Sequence, residues 1–313
     1  VSAAVRLRPE LPRSIHRSPM FVEARTRPAL AEVCRRLDMS DANAVLLRHH
    51  TNAVYAVGDV VVKIAPAEFG LERARAVVAV VRWLADQGFP TVGLSSRLPQ
   101  PLLVGEHAVT VWQRLDPAHD TPVTTAELGG LLRRLHALPA PPVSLPTLEP
   151  VDSIRRSLAR STILTARDRH LLLERLEPLA TRWLETSFPR GASLIQSDPQ
   201  TRNALRRFDG TPVLADWDGA VVGPREWDLA TVAVHCRRFT PPGTAAFSDF
   251  SVAYGWDVTS WPGFEAVCEL RELQMIATNA RKARPGTEAE AEVLHRIGAL
   301  RRSDQDLAKW HIL

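Results

Sequence analysis

The chain has 313 residues, 45% of them hydrophobic and 24% charged, with 39 Lys plus Arg against 35 Asp plus Glu and a formal net charge of +4. These proportions exclude a disordered or collagen-like chain, and the length leaves room for two domains or one bilobal unit at roughly 100–200 residues per domain. The basic excess is local: residues 1–36 carry eight Arg against three Glu, and no aromatic-interleaved basic stripe follows, so a solvated basic arm is expected and a nucleic-acid partner is not.

Residues 45–64 contain two predicted strands, Val54–Val57 and Val60–Ile64, joined by a Gly58-Asp59 hairpin turn. Lys63 lies inside the second apolar run, in a chain with only three lysines (Lys63, Lys282, Lys309). A lysine there either meets an anion or guards an exposed sheet edge. Val77, Val80, Val81 and Leu84 recur at helical spacing and predict a helix over Glu72–Ala85, stopped by Gly88 and Pro90. A strand follows at His107–Trp112. Residues 117–123 then separate it from an amphipathic helix that begins at Thr125, carries Leu128, Leu131, Leu132 and Leu135, and closes at Pro139. Helices are expected over 151–161 and 166–186. Two short apolar pieces, Ser193–Ile195 and Val213–Ala215, flank a polar stretch, and the remainder to about 310 is mostly helical, with Glu288–Glu292 expected as a solvated helix face.

Cys34, Cys236 and Cys268 are far apart and lack CxxC spacing, which argues against a disulfide framework or a structural zinc and suits a reducing, cytoplasmic setting. Cys236 and Cys268 are expected to be buried fillers. No run of about 18 uncharged apolar residues occurs, so no membrane partner is expected.

The chemistry concentrates in Gln196-Ser197-Asp198-Pro199-Gln200-Thr201-Arg202-Asn203 and Ala215-Asp216-Trp217-Asp218. Phosphoryl transfer needs a carboxylate to orient and deprotonate an attacking hydroxyl, and oxygen ligands for the magnesium that neutralises the phosphates. Asp198, Asn203 and Asp216 supply that set.

In these motifs the sequence resembles the aminoglycoside phosphotransferase and choline-kinase-like family, relatives of protein kinases. Gln196-Ser197-Asp198 through Asn203 is similar to the family's His-Gly-Asp-x-x-x-x-Asn loop, and Ala215-Asp216-Trp217 to its Ile-Asp-Trp/Phe segment. Gly223-Pro224-Arg225-Glu226-Trp227-Asp228-Leu229-Ala230 resembles its Gly-Pro-x-x-x-Asp-Leu-Ala block. The resemblance spans about 45–280. It implies an α+β, bilobal protein-kinase-like fold with a small antiparallel-sheet N-lobe and a mainly helical C-lobe, divided as arm 1–36, N-lobe 37–116 and C-lobe 117–313. It further implies ATP and Mg2+, with Asp198 as catalytic base and Asn203 and Asp216 as metal ligands. Lys63 would hold phosphate, Thr51 and Asn52 would form the nucleotide loop, and Trp112–Asp116, including Gln113 and Leu115, would contact adenine. Gln196, Asp218 and Asp228 would support the site.

Three departures stand out. Gln196 replaces the family's His; the helix glutamate that pairs with the lysine in protein kinases is Val77 here, with Glu72 as the nearest substitute; and the nucleotide loop, His49-His50-Thr51-Asn52, lacks glycine. His136 is expected near the last carbonyls of its helix, and His49 and His50 at the border of the loop. The expected activity is transfer of a γ-phosphoryl group to a hydroxyl of a small molecule, an aminoglycoside-like antibiotic or a biosynthetic intermediate. Two alternatives remain: a Ser/Thr kinase acting on a ribosomally made peptide ahead of dehydration, and a nucleotide-binding pseudokinase scaffold. Between 226 and 285 seven acidic residues face six basic ones, so no strongly acidic pocket for a polycation is evident.

Overall fold

The computed structural model describes residues 23–49, 51–115, 121–241, 243–302 and 309–312. Helix α1 (Glu23–Arg36) leads into strands β1 (Val45–His49), β2 (Ala53–Val57) and β3 (Val60–Ile64), helix α2 (Leu71–Asp86), and strands β4 (Leu102–Val104) and β5 (His107–Gln113). The five strands form one antiparallel sheet in the order β1-β2-β3-β5-β4. Because side chains alternate across a pleated strand, Val60, Val62 and Ile64 face one side with Tyr55, Val57, Val109 and Val111, while Lys63 takes the other. β3 is central, which removes the edge-guard explanation for Lys63.

Residues 23–36, expected as the end of a solvated arm, instead form α1, whose Leu30, Val33 and Cys34 are buried against that apolar sheet face. The arginines that gave the segment its arm-like composition point outward: Arg27 pairs with Glu23, and Arg35 and Arg36 pair with Glu32. Residues 1–22 lie outside the described ones. β1 was also not expected. Its side chains are largely exposed and lack clean alternation, so it carries little of the period-2 signal of a half-buried strand.

Helix α3 (Thr125–His136) opens the second part with a capping box, in which Thr124 Oγ1 accepts from Glu127 N–H and the Glu127 carboxylate accepts from Thr124 N–H. Helices α4 (Pro150–Arg160) and α5 (Ala166–Glu185) follow, then β6 (Ala192–Ile195), β7 (Ala204–Arg206), β8 (Pro212–Leu214) and β9 (Val221–Pro224). β6 pairs with β9 and β7 with β8, both antiparallel, so the loops after β6 and β8 lie close together. Helices α6 (Arg225–Phe239), α7 (Ala246–Tyr254), α8 (Phe264–Lys282) and α9 (Glu288–Arg302) complete the bilobal α+β architecture. The larger core gathers Leu128, Leu132, Trp217, Trp227 and Ile276, and a buried ion pair at 2.7 Å, Arg238 to Glu272, joins α6 to α8.

Three side chains differ from expectation. His136 is buried and bridges Tyr254 Oη (3.0 Å) and Asp228 (3.2 Å) instead of capping carbonyls. Glu292 is buried with Arg296 at 2.6 Å and His311 at 2.9 Å, so the Glu-Ala repeat is not a uniformly solvated face. Cys268 is buried as expected, whereas Cys236 is only partly so. Among the described residues no helix is long and apolar enough to cross a membrane.

Candidate active site

The loop after β6 turns at Ser197, whose φ of 71° lies in the left-handed region that side-chain-bearing residues rarely adopt. Its surroundings over-determine that turn. Asp228 accepts from Gln196 N–H (3.0 Å) and Ser197 N–H (2.9 Å), Ser197 Oγ donates to Gly219 O (2.8 Å), and Trp227 Nε1–H donates to Ser197 O (3.1 Å). A Cβ at Gly219 would sit 2.6 Å from Ser197 Oγ, so a larger residue there would push the serine hydroxyl off its bond to Gly219 O. The second loop turns the same way at Asp216, φ 58°.

Gln196, buried behind both turns, ties them together. Its Nε2 donates to Ala215 O (3.1 Å) and Asp216 O (3.0 Å), while its Oε1 accepts from Asp198 N–H (2.8 Å). An amide, being donor and acceptor at once, spans the two loops as needed. Asn203 Nδ2 donates to Asp198 O (3.0 Å), which identifies its Oδ1 as the atom left for a ligand.

Lys63 reaches both carboxylates of the second loop, Asp216 and Asp218, each at 2.8 Å. Burial would lower its pKa, but the two carboxylates outweigh that and raise it. Burial would raise the Asp216 carboxyl, yet Lys63 and then Arg48, at 3.3 Å, bring it down to about 2. Asn52 Nδ2 donates to Asp218 at 2.6 Å. Burial likewise works to raise Asp198, and the Arg271 guanidinium in contact with it, helped by His235 at 3.7 Å, holds it below the usual carboxylate range.

Thr51, Asn52, Gln196, Asp198, Asn203, Asp216 and Asp218 all line one cleft of about 390 Å³, and Asp228 lies directly behind it. Lys63 enters from the sheet side. Glu72 is not at Lys63: its side chain is 84% exposed and pairs with Arg75 one turn along α2. Val77 is buried in the same small recess as Lys63 and Asp218, so Asp218 takes the position at Lys63 that Glu72 was expected to fill. Gln113 ends β5 and Leu115 follows it, both outside this cluster; Gln113 N–H bonds Gly93 O at 2.9 Å and Leu115 packs on the larger core. His49 ends β1, while His50 and Asp116 lie outside the described residues.

Arg271, His235, Arg48 and Arg73 were not singled out from the sequence. Arg73 donates from α2 to Asp218 O (2.6 Å) and Ala220 O (2.9 Å). Each lies on an element remote in sequence from its partner, and its local pattern reads as an ordinary polar position. An acceptor loop and two potential hard-cation ligands therefore converge on one concave surface, and a deeply set lysine bonds to it from the adjoining recess. Asp216, ionised, and Asn203, through an amide oxygen, are the donor chemistry that Mg2+ takes when it also binds substrate phosphates.

Residues 44–267 match the model of the phosphotransferase enzyme family. Among solved structures, the chain is similar to amicoumacin kinase bound to AMP-PNP, Ca2+ and Ami (TM-score 0.72, 14% identity, 93% of this chain and 98% of that one). It is also similar to a microcompartment-associated aminopropanol kinase (TM-score 0.69, 14% identity, 89% and 98%). A third is aminoglycoside phosphotransferase APH(3'')-Id from Streptomyces rimosus with ADP and streptomycin (TM-score 0.61, 20% identity, 80% and 98%). At these identities the likenesses show the fold. No curated protein matches the chain.

Proposed function

The chain belongs to the phosphotransferase enzyme family, and from that premise we propose that it transfers the γ-phosphoryl group of ATP, with Mg2+, to a hydroxyl of a small molecule. The observation that carries this reading is the convergence of Asp198, Asn203 and Asp216 on one cleft, with Lys63 reaching Asp216 at 2.8 Å from the adjoining recess. The structural relatives named with AMP-PNP, ADP, aminopropanol and streptomycin support the nucleotide and the small hydroxyl compound as classes.

Asp198, held at its backbone by Gln196, orients the acceptor hydroxyl and takes its proton as the oxygen attacks phosphorus. Lys63 neutralises nucleotide phosphate. Asn203 and Asp216 would hold Mg2+, which when bound offsets phosphate charge. Most of the rate gain in such a site comes from positioning and fixed charge.

The test is ATP consumption with Mg2+ over a panel of hydroxyl compounds and Ser/Thr peptides, comparing wild type with Asp198→Asn. We expect acceptor-dependent turnover that falls by roughly 10²–10⁴-fold in the variant, the range for loss of a general base, with nucleotide affinity unchanged. Nucleotide binding without turnover by any acceptor would retire transfer in favour of a binding scaffold. Turnover confined to peptides would move the acceptor to a polypeptide.

A further inference from the structure

We infer that the acceptor carries an oxyanion, a carboxylate or phosphate group, next to the hydroxyl that is phosphorylated; this rests on the phosphotransferase reading and names its substrate class. The cleft is lined by Arg48, Arg202, Arg271, Lys282 and Arg296, and its acidic lining residues are Asp198, Asp216 and Asp218. All three carboxylates belong to the base and metal set, and each already faces a cation. Helices α8 and α9 contribute no carboxylate to the wall.

The reason is helical phase. Arg271, Met275, Thr278 and Lys282, spaced i, i+4, i+7 and i+11, share one stripe of α8 and line the cleft. Glu265, Glu269 and Glu272 fall on the far side, where Glu265 pairs with Arg237 and Glu272 with Arg238. A near-neutral segment thus presents its positive half to the site.

Two of the cleft guanidiniums are built in rather than loosely solvated. Arg271 is 7% exposed and Arg296 1%. Arg271 bonds Asp198 and Gln274, and Arg296 bonds Glu292 and His311 O. Among the described residues, Arg271 Nε and Arg296 Nη1 are nevertheless buried without a hydrogen-bond partner. Arg296 also stacks on the Trp310 ring at 4.4 Å and Arg271 lies over Trp227 at 6.0 Å, so both guanidiniums are fixed in the cleft wall. An ammonium group offers no acceptor and would be repelled by the same residues; a carboxylate or phosphate satisfies guanidinium N–H groups in its preferred geometry.

The experiment measures binding to the full chain in Mg2+-ADP by calorimetric titration, alongside turnover with Mg2+-ATP. The probes are D-glycerate, glycerol 3-phosphate, glycerol, 1-amino-2-propanol and streptomycin. We expect at least one of the two anions to bind ten-fold or more tightly than glycerol and both cations, with its identity separating carboxylate from phosphate. Arg271→Gln should erase that preference. Because Arg271 also touches Asp198, Arg202→Gln at the exposed rim is the second variant and should weaken the same anion several-fold, leaving glycerol unchanged. Glycerol, aminopropanol or streptomycin binding as tightly as the anions, or neither anion binding, overturns the inference. Streptomycin turnover without anion binding would do so while transfer stands; anion binding with no turnover would keep the anion site and retire transfer.

Discussion

Gln196 shows how far one side chain's chemistry can be read from sequence. Its position two residues before Asp198 marks it as the substitute for a loop-holding histidine, but its three hydrogen bonds to the two loops exist only in the fold. Ser197 is similar: the resemblance places a glycine there, and φ of 71° explains why glycine is suited to it. Neither Arg271 nor His235 could be found in this way, because their partner Asp198 is on another element and no local spacing announces the contact. We predict that Gln196→Ala, which strands the part-buried Asp198 N–H and removes the bonds to Ala215 O and Asp216 O, costs about 1–3 kcal/mol of stability by urea unfolding and lowers kcat more than KM rises. Gln196→His, able to accept from the same N–H, should retain more activity than the alanine variant. Equal losses in the two would show that the amide's bonds do not position Asp198.

At the scale of elements, helices with clear stops were legible: α2 falls within one residue of its expected bounds, and α3 begins where expected and ends at His136, three residues short of Pro139. α1 was hidden because its exposed arginines dominate its composition, and β1 because an edge strand with little burial lacks alternation. The paired glycines of α3 are a subtler case, since glycine weakens a helix interior. A Cβ at Gly129 would sit 2.6 Å from Phe250 O and 3.2 Å from Ala253 Cβ, so this glycine is what lets α7 lie against α3. A Cβ at Gly130 would meet nothing within 4 Å. Gly129→Ala is therefore expected to destabilise by about 1–3 kcal/mol through overpacking, and Gly130→Ala to stabilise by roughly 0.5–1 kcal/mol. Urea midpoints of the two variants check the pair; a stabilised Gly129→Ala would mean that the helices separate at no cost.

Over the whole molecule, the sheet and the helical part are joined at the site largely by charge. Lys63 spans to Asp216 and Asp218, Arg73 to the backbone of Asp218 and Ala220, and Lys282 of α8 to Thr51 between β1 and β2, at 2.7 Å. Sequence reasoning reached the ingredients but not the arrangement: a charge balance over 226–285 sums both faces of α8 and cannot say which one the cleft sees. The lobe-spanning contacts give a pH signature with a definite sign. In the folded chain the Asp216 carboxyl is held at about 2, against an ordinary 3.8. A depressed acid stabilises the fold above its ordinary pKa, and that contribution is lost as pH falls from about 4 through about 2. A shift of this size corresponds to about 2 kcal/mol. Other carboxylates, Glu127 with Arg206 among them, also titrate low and steepen the same limb, so the comparison must be differential. Between pH 4 and pH 2 the unfolding free energy of wild type should fall by about 2 kcal/mol more than that of Asp216→Asn, which lacks the titrating group. Parallel acid limbs for the two proteins would show that the Lys63–Asp216 contact adds nothing to the joining of the two parts, leaving Asp218 and the Arg73 bonds to carry it.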